Sequence, residues 1–352
     1  MTDGAPPPPH QRRARYRGTH PRQFQEKYKE LDPAAYAAEV DKVLQRGQTP
    51  AGTHRSICVD EILAILDPQP GEHGLDATLG FGGHTQALMP RILPGGQMVG
   101  LDVDSIELPR TRERLRALGF MAPALNLYHS NFSELAQFLP ERGRRFDFVL
   151  ADLGVSSMQI DNPTRGFSFK VDGPLDLRLD PLQGQSASEL LSAVTRQRLR
   201  ELLTENADEP YAVPLAAALQ GQFVETTSQL AELIRATVAL QYKKSMPAGE
   251  RVVETKKALQ RTFQALRIEV NNEFGVLDAL LRQLPACLAP GGRVAILSFH
   301  SGEDRRVKKA FQTGERDGTY VRVAPDPIRP SFEERRANPR ASSAKLRWAV
   351  RA

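Results

Sequence analysis

Short apolar runs alternate with stretches of helical periodicity along most of the 352-residue chain. The pattern is typical of a parallel sheet covered by helices, because strands buried on both faces read as continuous apolar runs. The predicted strands lie near Leu75 and at residues 98–101, 125–128, 146–152, 289–299 and 346–350. Between the fourth and fifth strands, helical spacing prevails over roughly 100 residues, a length within domain norms. The pattern predicts an α/β, Rossmann-like fold with an inserted all-α domain.

Three segments follow from this pattern. Residues 1–50 are predicted to be a disordered basic tail and a helical extension, because proline and arginine dominate residues 1–20 and helical spacing begins near residue 21. Residues 51–160 and 259–352 are predicted to form the Rossmann-like domain. Residues 161–258 are predicted to form a helical substrate-recognition domain, with helices that open at capping boxes of Ser186 with Glu189 and Thr226 with Gln229.

A glycine cluster follows the first predicted strand. Asp76 ends that strand, and Gly80, Gly82 and Gly83 follow it. Glycines let a strand turn tightly into a helix and let a ligand approach bare main chain, although a plain tight turn is the alternative. The second strand ends in Asp102, 26 residues after Asp76, about where nucleotide-binding folds place a ribose-binding carboxylate. The acid at the start of the loop favours S-adenosylmethionine over a dinucleotide.

The fourth predicted strand ends at Asp152, and the segment from Asp152 to Ser157 lies just beyond it. Ligands of open α/β sheets bind at this edge, although a helix cap made by Asp152 or Ser156 is the alternative. The loop that continues to Arg178 contains few residues that favour a helix or a strand. So long an irregular segment indicates a binding surface.

Composition adds three constraints. Hydrophobic residues make up 40% of the chain and charged residues 25%, as in globular proteins. The two cysteines, Cys58 and Cys287, encode neither a disulfide framework nor a zinc cluster, and no metal-ligand spacing is visible, so no metal is expected. No apolar run is long enough to span a bilayer, which favours a cytoplasmic enzyme without a membrane partner.

The net charge of +5 is unevenly distributed. Residues 1–30 carry seven Lys or Arg against three Asp or Glu, and residues 301–352 carry thirteen against seven. The two ends therefore supply +10 and the middle −5. This segregation suits contact with phosphates, with a solvated surface as the alternative.

Taken together, the motifs between His54 and Arg347 resemble the RsmH (MraW) family of bacterial ribosomal RNA methyltransferases. The resemblance is carried by Gly82-Gly83-His84 and by residues 152–157, 165–169, 173–178, 261–267, 290–293, 298–301 and 338–340. It implies methyl transfer from S-adenosylmethionine to the exocyclic 4-amino group of a cytidine in the decoding region of 16S rRNA. The implied partner is 16S rRNA within the small ribosomal subunit, and a homodimer is one option for assembly.

The resemblance also implies site residues. The cofactor contacts fall on Gly82, Gly83, His84, Asp102, Phe132, Asp152 and Gln159. Asp102 can accept both ribose hydroxyls and Phe132 can lie against the adenine, although an ordinary core position is the alternative for Phe132. The expected RNA contacts, some of which will be intramolecular salt bridges instead, are Arg165, Lys170, Arg178, Arg261, Arg267, Arg305, Arg306, Lys308, Lys309 and Arg340.

The reaction needs an acceptor for the amino proton, since an exocyclic amino nitrogen is a poor nucleophile whose lone pair is delocalised into the ring. Asp152 is the first candidate for this catalytic role, although it can instead hold the cofactor. His300 and Ser298, at the end of the fifth strand, are further candidates. A structural hydrogen bond is the alternative for His300.

Several positions depart from the family pattern on the RNA side. Glycine stands at 302 where leucine is usual, Lys257-Ala258-Leu259-Gln260 replaces His-Pro-Ala-Thr, Pro210 and Pro214 replace part of an arginine-rich run, and serine stands at 342 where arginine is frequent. Two other functions stay open. One is methylation of another nucleic acid or a protein amide, although the chain lacks the Asn/Asp-Pro-Pro-aromatic tetrad of many such enzymes. The other is ribosome assembly with vestigial catalysis, which the intact Asp102, Asp152 and glycines oppose.

Overall fold

The computed structural model describes residues 56–139 and 144–352. The predictions of a disordered tail and a helical extension at residues 1–50 lie outside the described residues. None of the described helices is long and apolar enough to cross a membrane.

A seven-stranded mixed sheet forms the centre of the described region. Its strands are β1 (His73–Asp76), β2 (Gln97–Asp102), β3 (Leu125–His129), β4 (Phe146–Asp152), β5 (Leu288–Ser298), β6 (Tyr320–Val323) and β7 (Lys345–Arg351), in the order β3-β2-β1-β4-β5-β7-β6. The first five strands run parallel, and β7 pairs antiparallel with both β5 and β6. The strand order reverses between β1 and β4, which is where such sheets open a ligand crevice at their carboxyl ends. All six predicted strands are confirmed, and β6 is additional.

Helices cover both faces of this sheet. They are α1 (Val59–Leu66), α2 (Gly83–Ile92), α3 (Glu107–Ala117), the short α4 (Ser157–Asp161), α10 (Glu273–Cys287), α11 (Ser301–Arg316) and the short α12 (Phe332–Ala337). Three 3₁₀ turns, Phe132–Phe138, Pro163–Arg165 and Pro339–Ser343, complete the connections. The mixed α/β, Rossmann-like class predicted from the sequence is confirmed.

The side chains of β4 alternate between two hydrophobic cores. Val149 and Ala151 pack with residues of α10 and α11 on one face, whereas Phe148 and Leu150 pack with α1, α2 and α3 on the other. Gly74 on β1 makes room for the Phe148 ring, since a Cβ there would lie 2.1 Å from Cζ of that ring. Burial of a side chain such as Phe148 stabilises the fold by about 1.5–3 kcal/mol, which anchors the strand that carries Asp152.

A helical segment lies between β4 and β5 and has a hydrophobic core of its own, which extends from Leu175 to Leu266. Its helices are α5 (Ala187–Ala193), α6 (Arg196–Ala207), α7 (Ala212–Leu219), α8 (Thr227–Ala239) and α9 (Ala248–Val270). The capping boxes predicted for α5 and α8 are present. Helix α9 is continuous across the predicted boundary at residues 258 and 259, and its side chains from Ala258 to Leu266 belong to this core. We therefore place the end of the segment at Val270.

Candidate active site

Asp76 fixes the glycine turn at the end of β1. Its buried carboxylate accepts hydrogen bonds from the backbone N–H of Thr78 at 3.1 Å and from the hydroxyl of Thr85 at 2.8 Å. Burial raises the pKa of Asp76. The nearby His84 and these two hydrogen bonds lower it, but by less than burial raises it. Gly82 caps α2 with a left-handed φ of 77°, and a Cβ there would lie 3.0 Å from Leu115 of α3. The turn therefore requires glycine at 82, and Asp76 holds its two ends together.

Helix α3 clamps the same turn from outside. The guanidinium of Arg114 lies 3.9 Å from the Phe81 ring centre, donates two hydrogen bonds to the Phe81 carbonyl and donates a third to Gln86 at 2.8 Å. Thr111 donates to the carbonyl of Gly80 at 2.6 Å. Burial lowers the pKa of Arg114 to about 10. The roles of Arg114 and Thr111 were not predicted from the sequence, because contacts between α3 and the turn leave no local signal.

Asp102, at the end of β2, faces the glycine turn. One of its carboxylate oxygens accepts from the N–H of Gly80 at 2.6 Å and the other from the N–H of Asp104 at 2.8 Å. Each oxygen retains a lone pair that a ribose hydroxyl can use. Burial raises the pKa of Asp102 to about 6, and the charges of the neighbouring Asp104 and Asp76 add to this rise. The two N–H hydrogen bonds act in the opposite direction and lower the pKa.

Phe132 begins the 3₁₀ turn that follows β3. It is partly buried and packs against the hydrophobic cluster that contains Leu101, the residue before Asp102. The N–H of Ser130 donates to the Asp102 carbonyl at 3.0 Å, which ties the end of β3 to the end of β2. A ring in this place fits contact with an adenine as well as a core position.

Asp104 connects the β2 loop to the loop after β4. The carboxylate is 1% exposed and accepts from the amide of Gln159 at 2.7 Å and from the guanidinium of Arg165 at 2.8 Å. Arg165 is 4% exposed and also donates to the carbonyls of Arg178 and Leu179. Its guanidinium is therefore buried and hydrogen-bonded within the protein. In this structure Arg165 does not lie on the surface where RNA contacts were expected.

Gln159 has two partners within the protein. Its side-chain oxygen accepts from the N–H of Ser156 at 2.8 Å, and the Ser156 hydroxyl accepts from the N–H of Gln159, so the two form the capping box of α4. The helix-cap alternative is thus correct for Ser156. The Gln159 amide also donates to Asp104, which leaves its second N–H and the second lone pair of its oxygen for the expected contact with a cofactor.

Asp152 and His84 lie next to each other at the carboxyl edge of the sheet. Asp152 ends β4, and its N–H donates to the Thr78 hydroxyl at 2.6 Å. His84 lies in the first turn of α2, with its Nε2 atom 3.4 Å from Oδ2 of Asp152. Oδ1 of Asp152 and both ring nitrogens of His84 are buried without a hydrogen bond. The two groups are close enough for a charge contact but are poorly aligned for a hydrogen bond.

Ser298 and His300, the other candidate acceptors, each have a structural role. Ser298 is 2% exposed and donates to the carbonyl of Lys345 on β7 at 3.3 Å. His300 caps α11, where its Nδ1 accepts from the N–H of Glu303 and its Nε2 lies 3.2 Å from the Glu303 carboxylate. Asp152 is therefore the most open of the three acceptors.

The other expected RNA contacts divide into two groups. Lys170, Lys308 and Lys309 are exposed and make no ion pair with any described residue, and Arg305 is 69% exposed beside Asp208. Five more are tied to neighbouring acids, as the sequence analysis allowed: Arg178 to Asp176, Arg267 to Glu273, Arg306 to Asp278, Arg340 to Asp161 and, through proximity alone, Arg261 to Glu209.

Gly302, a departure from the family pattern, makes room for an aromatic ring. A Cβ at this position would lie 2.6 Å from Cζ of Phe274, and Arg306 stacks on that ring at 4.3 Å. Phe274 lies 5.7 Å from the His300 ring, measured between ring centres. The space that a larger side chain would need is therefore filled by Phe274.

Two groups of potential metal ligands occur among the described residues. They are Cys58 with Glu61 and Glu334, and Glu273 with His300 and Glu303. Burial, with Glu334 nearby, raises the pKa of Cys58 to about 12, which keeps the thiol protonated. The guanidinium of Arg267 already binds both oxygens of Glu273. These features disfavour a divalent cation at either group.

The residues around the crevice fit a nucleoside that carries a charged amino-acid chain. Asp102 has free lone pairs for two hydroxyls, Phe132 offers an apolar surface, and the glycine turn exposes bare main chain. The buried, unpaired Oδ1 of Asp152 offers an acceptor or a partner for a positive charge. S-Adenosylmethionine has each of the complementary groups.

Comparison with known proteins agrees with this geometry. A family model described as the MraW methylase family matches residues 51–352. A relative from Alkaliphilus metalliredigens (strain QYMF), named ribosomal RNA small subunit methyltransferase H 2, is 55% identical over 347 residues, which cover 97% of this chain and 98% of the relative. A relative from Lachnoclostridium phytofermentans, named ribosomal RNA small subunit methyltransferase H 1, is 53% identical over 350 residues, which cover 98% of this chain and 94% of the relative.

Proposed function

This chain belongs to the MraW methylase family of S-adenosylmethionine-dependent methyltransferases, and from that premise we propose that it methylates the exocyclic 4-amino group of a cytidine in the decoding region of 16S rRNA. The chain matches almost the full length of relatives that are named as small-subunit ribosomal RNA methyltransferases, and this supports the substrate class. The observation that carries the chemistry is the buried Oδ1 of Asp152, which lacks a hydrogen bond at the carboxyl edge of the sheet.

In this function the chain's residues bind, orient and accept a proton. Asp102, Phe132 and the turn at Gly82 hold the cofactor, which supplies an electrophilic methyl group on a sulfonium when bound. Asp152 accepts a hydrogen bond from the 4-amino group and receives its proton as the nitrogen acquires the methyl group. The negative charge of Asp152 also favours the positive charge that develops on the nitrogen.

The target base has to leave its stack to reach this crevice. An amino group cannot meet the methyl group while its base is stacked, so we propose that the cytidine is flipped out of the RNA. The exposed lysines of α11, Lys308 and Lys309, with Lys170 and Arg305, supply phosphate contacts. Arg178, Arg261, Arg267, Arg306 and Arg340 contribute only where RNA competes with their acidic partners.

The domain organisation belongs to the same proposal. The helical segment up to Val270, with its separate core, serves as the substrate-recognition domain and docks on the assembled small ribosomal subunit. A ribosomal substrate supports a cytoplasmic location for the protein. A homodimer is compatible with this arrangement and is tested by the mass of the purified protein in solution.

Mass spectrometry of rRNA nucleosides tests the function. A deletion strain carries wild-type or Asp152→Asn protein on a plasmid, and its 16S rRNA is digested and analysed. We expect N4-methylated cytidine to disappear on deletion, to return with the wild-type chain and to stay absent with Asp152→Asn. Loss of a different modification would favour another substrate. Full growth rescue by Asp152→Asn without methylation would favour an assembly factor.

A further inference from the structure

The imidazole of His84 lies in a buried pocket surrounded by carboxylates. Its side chain is 7% exposed, and Asp152 of β4 is its nearest charged neighbour at 3.4 Å. Asp76 of β1 and Glu334 of α12 also act on it through their charges. Cys58 precedes α1. Burial and nearby carboxylates, including Asp152, raise the pKa of its thiol, which stays protonated. A single base therefore faces three acids from three different elements.

This environment favours the charged form of the ring. Burial lowers the pKa of His84, but the side-chain contact with Asp152 and the charges of Asp152, Asp76 and Glu334 outweigh burial, and the net shift is upward. A raised pKa means that the proton is held to a higher pH than on an ordinary histidine. With no hydrogen bond on either ring nitrogen, the contact with Asp152 rests on charge and responds to any other charge placed nearby.

We propose that His84 is a positioning residue whose proton is exchanged for the positive charge of the cofactor. The inference rests on the proposed function, because it assumes that a sulfonium binds beside Asp152. Two positive charges next to one carboxylate repel each other, so the arrival of a sulfonium releases the imidazole proton to water. When the sulfonium becomes a thioether, the ring takes a proton up again.

The exchange would leave one positive charge beside Asp152 whether or not a methyl donor is bound. In the protein without the donor, the charged imidazole of His84 compensates the carboxylate at 3.4 Å. When a sulfonium is bound, it supplies that charge and His84 becomes neutral, so the carboxylate does not face two cations at once. The proton of His84 is thus displaced only by a ligand that still carries its methyl group.

Calorimetry with two ligands tests the exchange. S-Adenosylmethionine and S-adenosylhomocysteine differ by the methyl group and its sulfonium charge, and their binding heats near neutral pH are measured in buffers of different ionisation enthalpy. We expect the sulfonium ligand to release more protons than the thioether ligand, by up to about one per chain. Protons linked to Asp102 cancel in this difference, since both ligands carry the same ribose. In His84→Gln the difference should vanish.

His73→Gln is the matched control. His73 is also buried, but it begins β1 at the opposite edge of the sheet, so its removal should leave the difference between the ligands unchanged. Equal proton release by both ligands in the wild-type protein would overturn the inference, as would a difference that persists in His84→Gln. Failure of both ligands to bind would instead refute the proposed function.

A second measurement applies if His84→Gln does not fold. The seven histidine rings of the wild-type chain are titrated by NMR with each ligand bound. One buried ring should titrate at a lower pH with the sulfonium ligand than with the thioether ligand. If no ring differs between the two complexes, the proton exchange does not occur.

Discussion

Asp76, Asp102 and Asp152 end three neighbouring strands, yet each carboxylate has a different environment. Asp76 is sealed by hydrogen bonds within its own turn. Asp102 is bound by two backbone N–H groups but keeps lone pairs free. Asp152 has a buried oxygen without a hydrogen bond. These environments support the proposed roles of the three acids, in which Asp76 is structural, Asp102 binds the cofactor and Asp152 accepts the proton.

At the residue scale, Asp152→Asn should separate rate from binding. The amide keeps the size of the side chain but removes its charge and half of its acceptor capacity, so we expect a single-turnover rate loss of about a hundredfold or more. Cofactor affinity should fall much less. If rate and affinity drop in equal proportion, Asp152 is only a cofactor ligand.

Asp102→Ala should mainly weaken cofactor binding, in contrast to Asp152→Asn, which should mainly lower the rate. Loss of a carboxylate that accepts two hydroxyl groups should weaken cofactor binding by at least about tenfold while the chain stays folded. In the wild-type protein, affinity for S-adenosylhomocysteine should fall as the pH drops through about 6, because protonation of Asp102 removes acceptor capacity. Unchanged affinity in calorimetry would contradict the ribose assignment.

The stability consequence of Asp102 has a defined sign. Its pKa in the folded protein is raised to about 6, so the folded state of the free protein is favoured at low pH and loses that advantage as the pH rises through 6. Asp102→Asn should therefore raise the melting temperature of the ligand-free protein above pH 6 more than at pH 4. The same increase at both values would contradict the shifted pKa.

At the element scale, the buried pair of Asp104 and Arg165 joins the β2 loop to the loop after β4. Removal of one partner leaves an uncompensated buried charge, so Arg165→Met should lower the free energy of unfolding by about 3–5 kcal/mol. Arg305→Met, which removes a cation from an exposed pair, should change it by less than about 1 kcal/mol. Denaturant titrations compare the two, and equal losses would contradict the role of Asp104.

The sequence predicted elements better than the contacts between them. Buried strands such as β4 are continuous apolar runs and were recognisable, whereas β6 has four residues with an exposed centre and exists because it pairs with β7. The break between α9 and α10 occurs at Asn272, which adopts a left-handed φ of 48° that asparagine accepts more readily than most residues. Other features could not be predicted, because they depend on tertiary contacts that no local sequence pattern contains. They are the roles of Arg114 and Asp104 and the internal hydrogen bonds of the Arg165 guanidinium.

At the scale of the whole molecule, the proposed substrate surface combines the helical segment with the exposed cations of α11. Lys308→Glu with Lys309→Glu should weaken binding to small subunits and reduce its salt dependence, while cofactor affinity stays unchanged. Glu315→Lys, on the same helix but with opposite charge change, is the control. Unaltered subunit binding by the double variant would place the RNA elsewhere.

The substrate should be an assembled small subunit or a late precursor, because a decoding-region cytidine needs folded RNA to present it to so wide a surface. Equal rates on a short hairpin and on intact subunits would contradict this. Removal of residues 1–45 should remove only a nonspecific electrostatic attraction to RNA, which weakens as the salt concentration rises. A large loss of activity would assign the tail a specific role.

The position of the transferred methyl group tests the central claim most directly. Purified protein is incubated with isotopically labelled S-adenosylmethionine and small subunits from a strain that lacks the gene, and the RNA is digested for mass spectrometry. The account predicts one labelled methyl group per subunit, on the 4-amino nitrogen of a single cytidine in the decoding region. Label on another atom, on another nucleotide or on a ribosomal protein would contradict it.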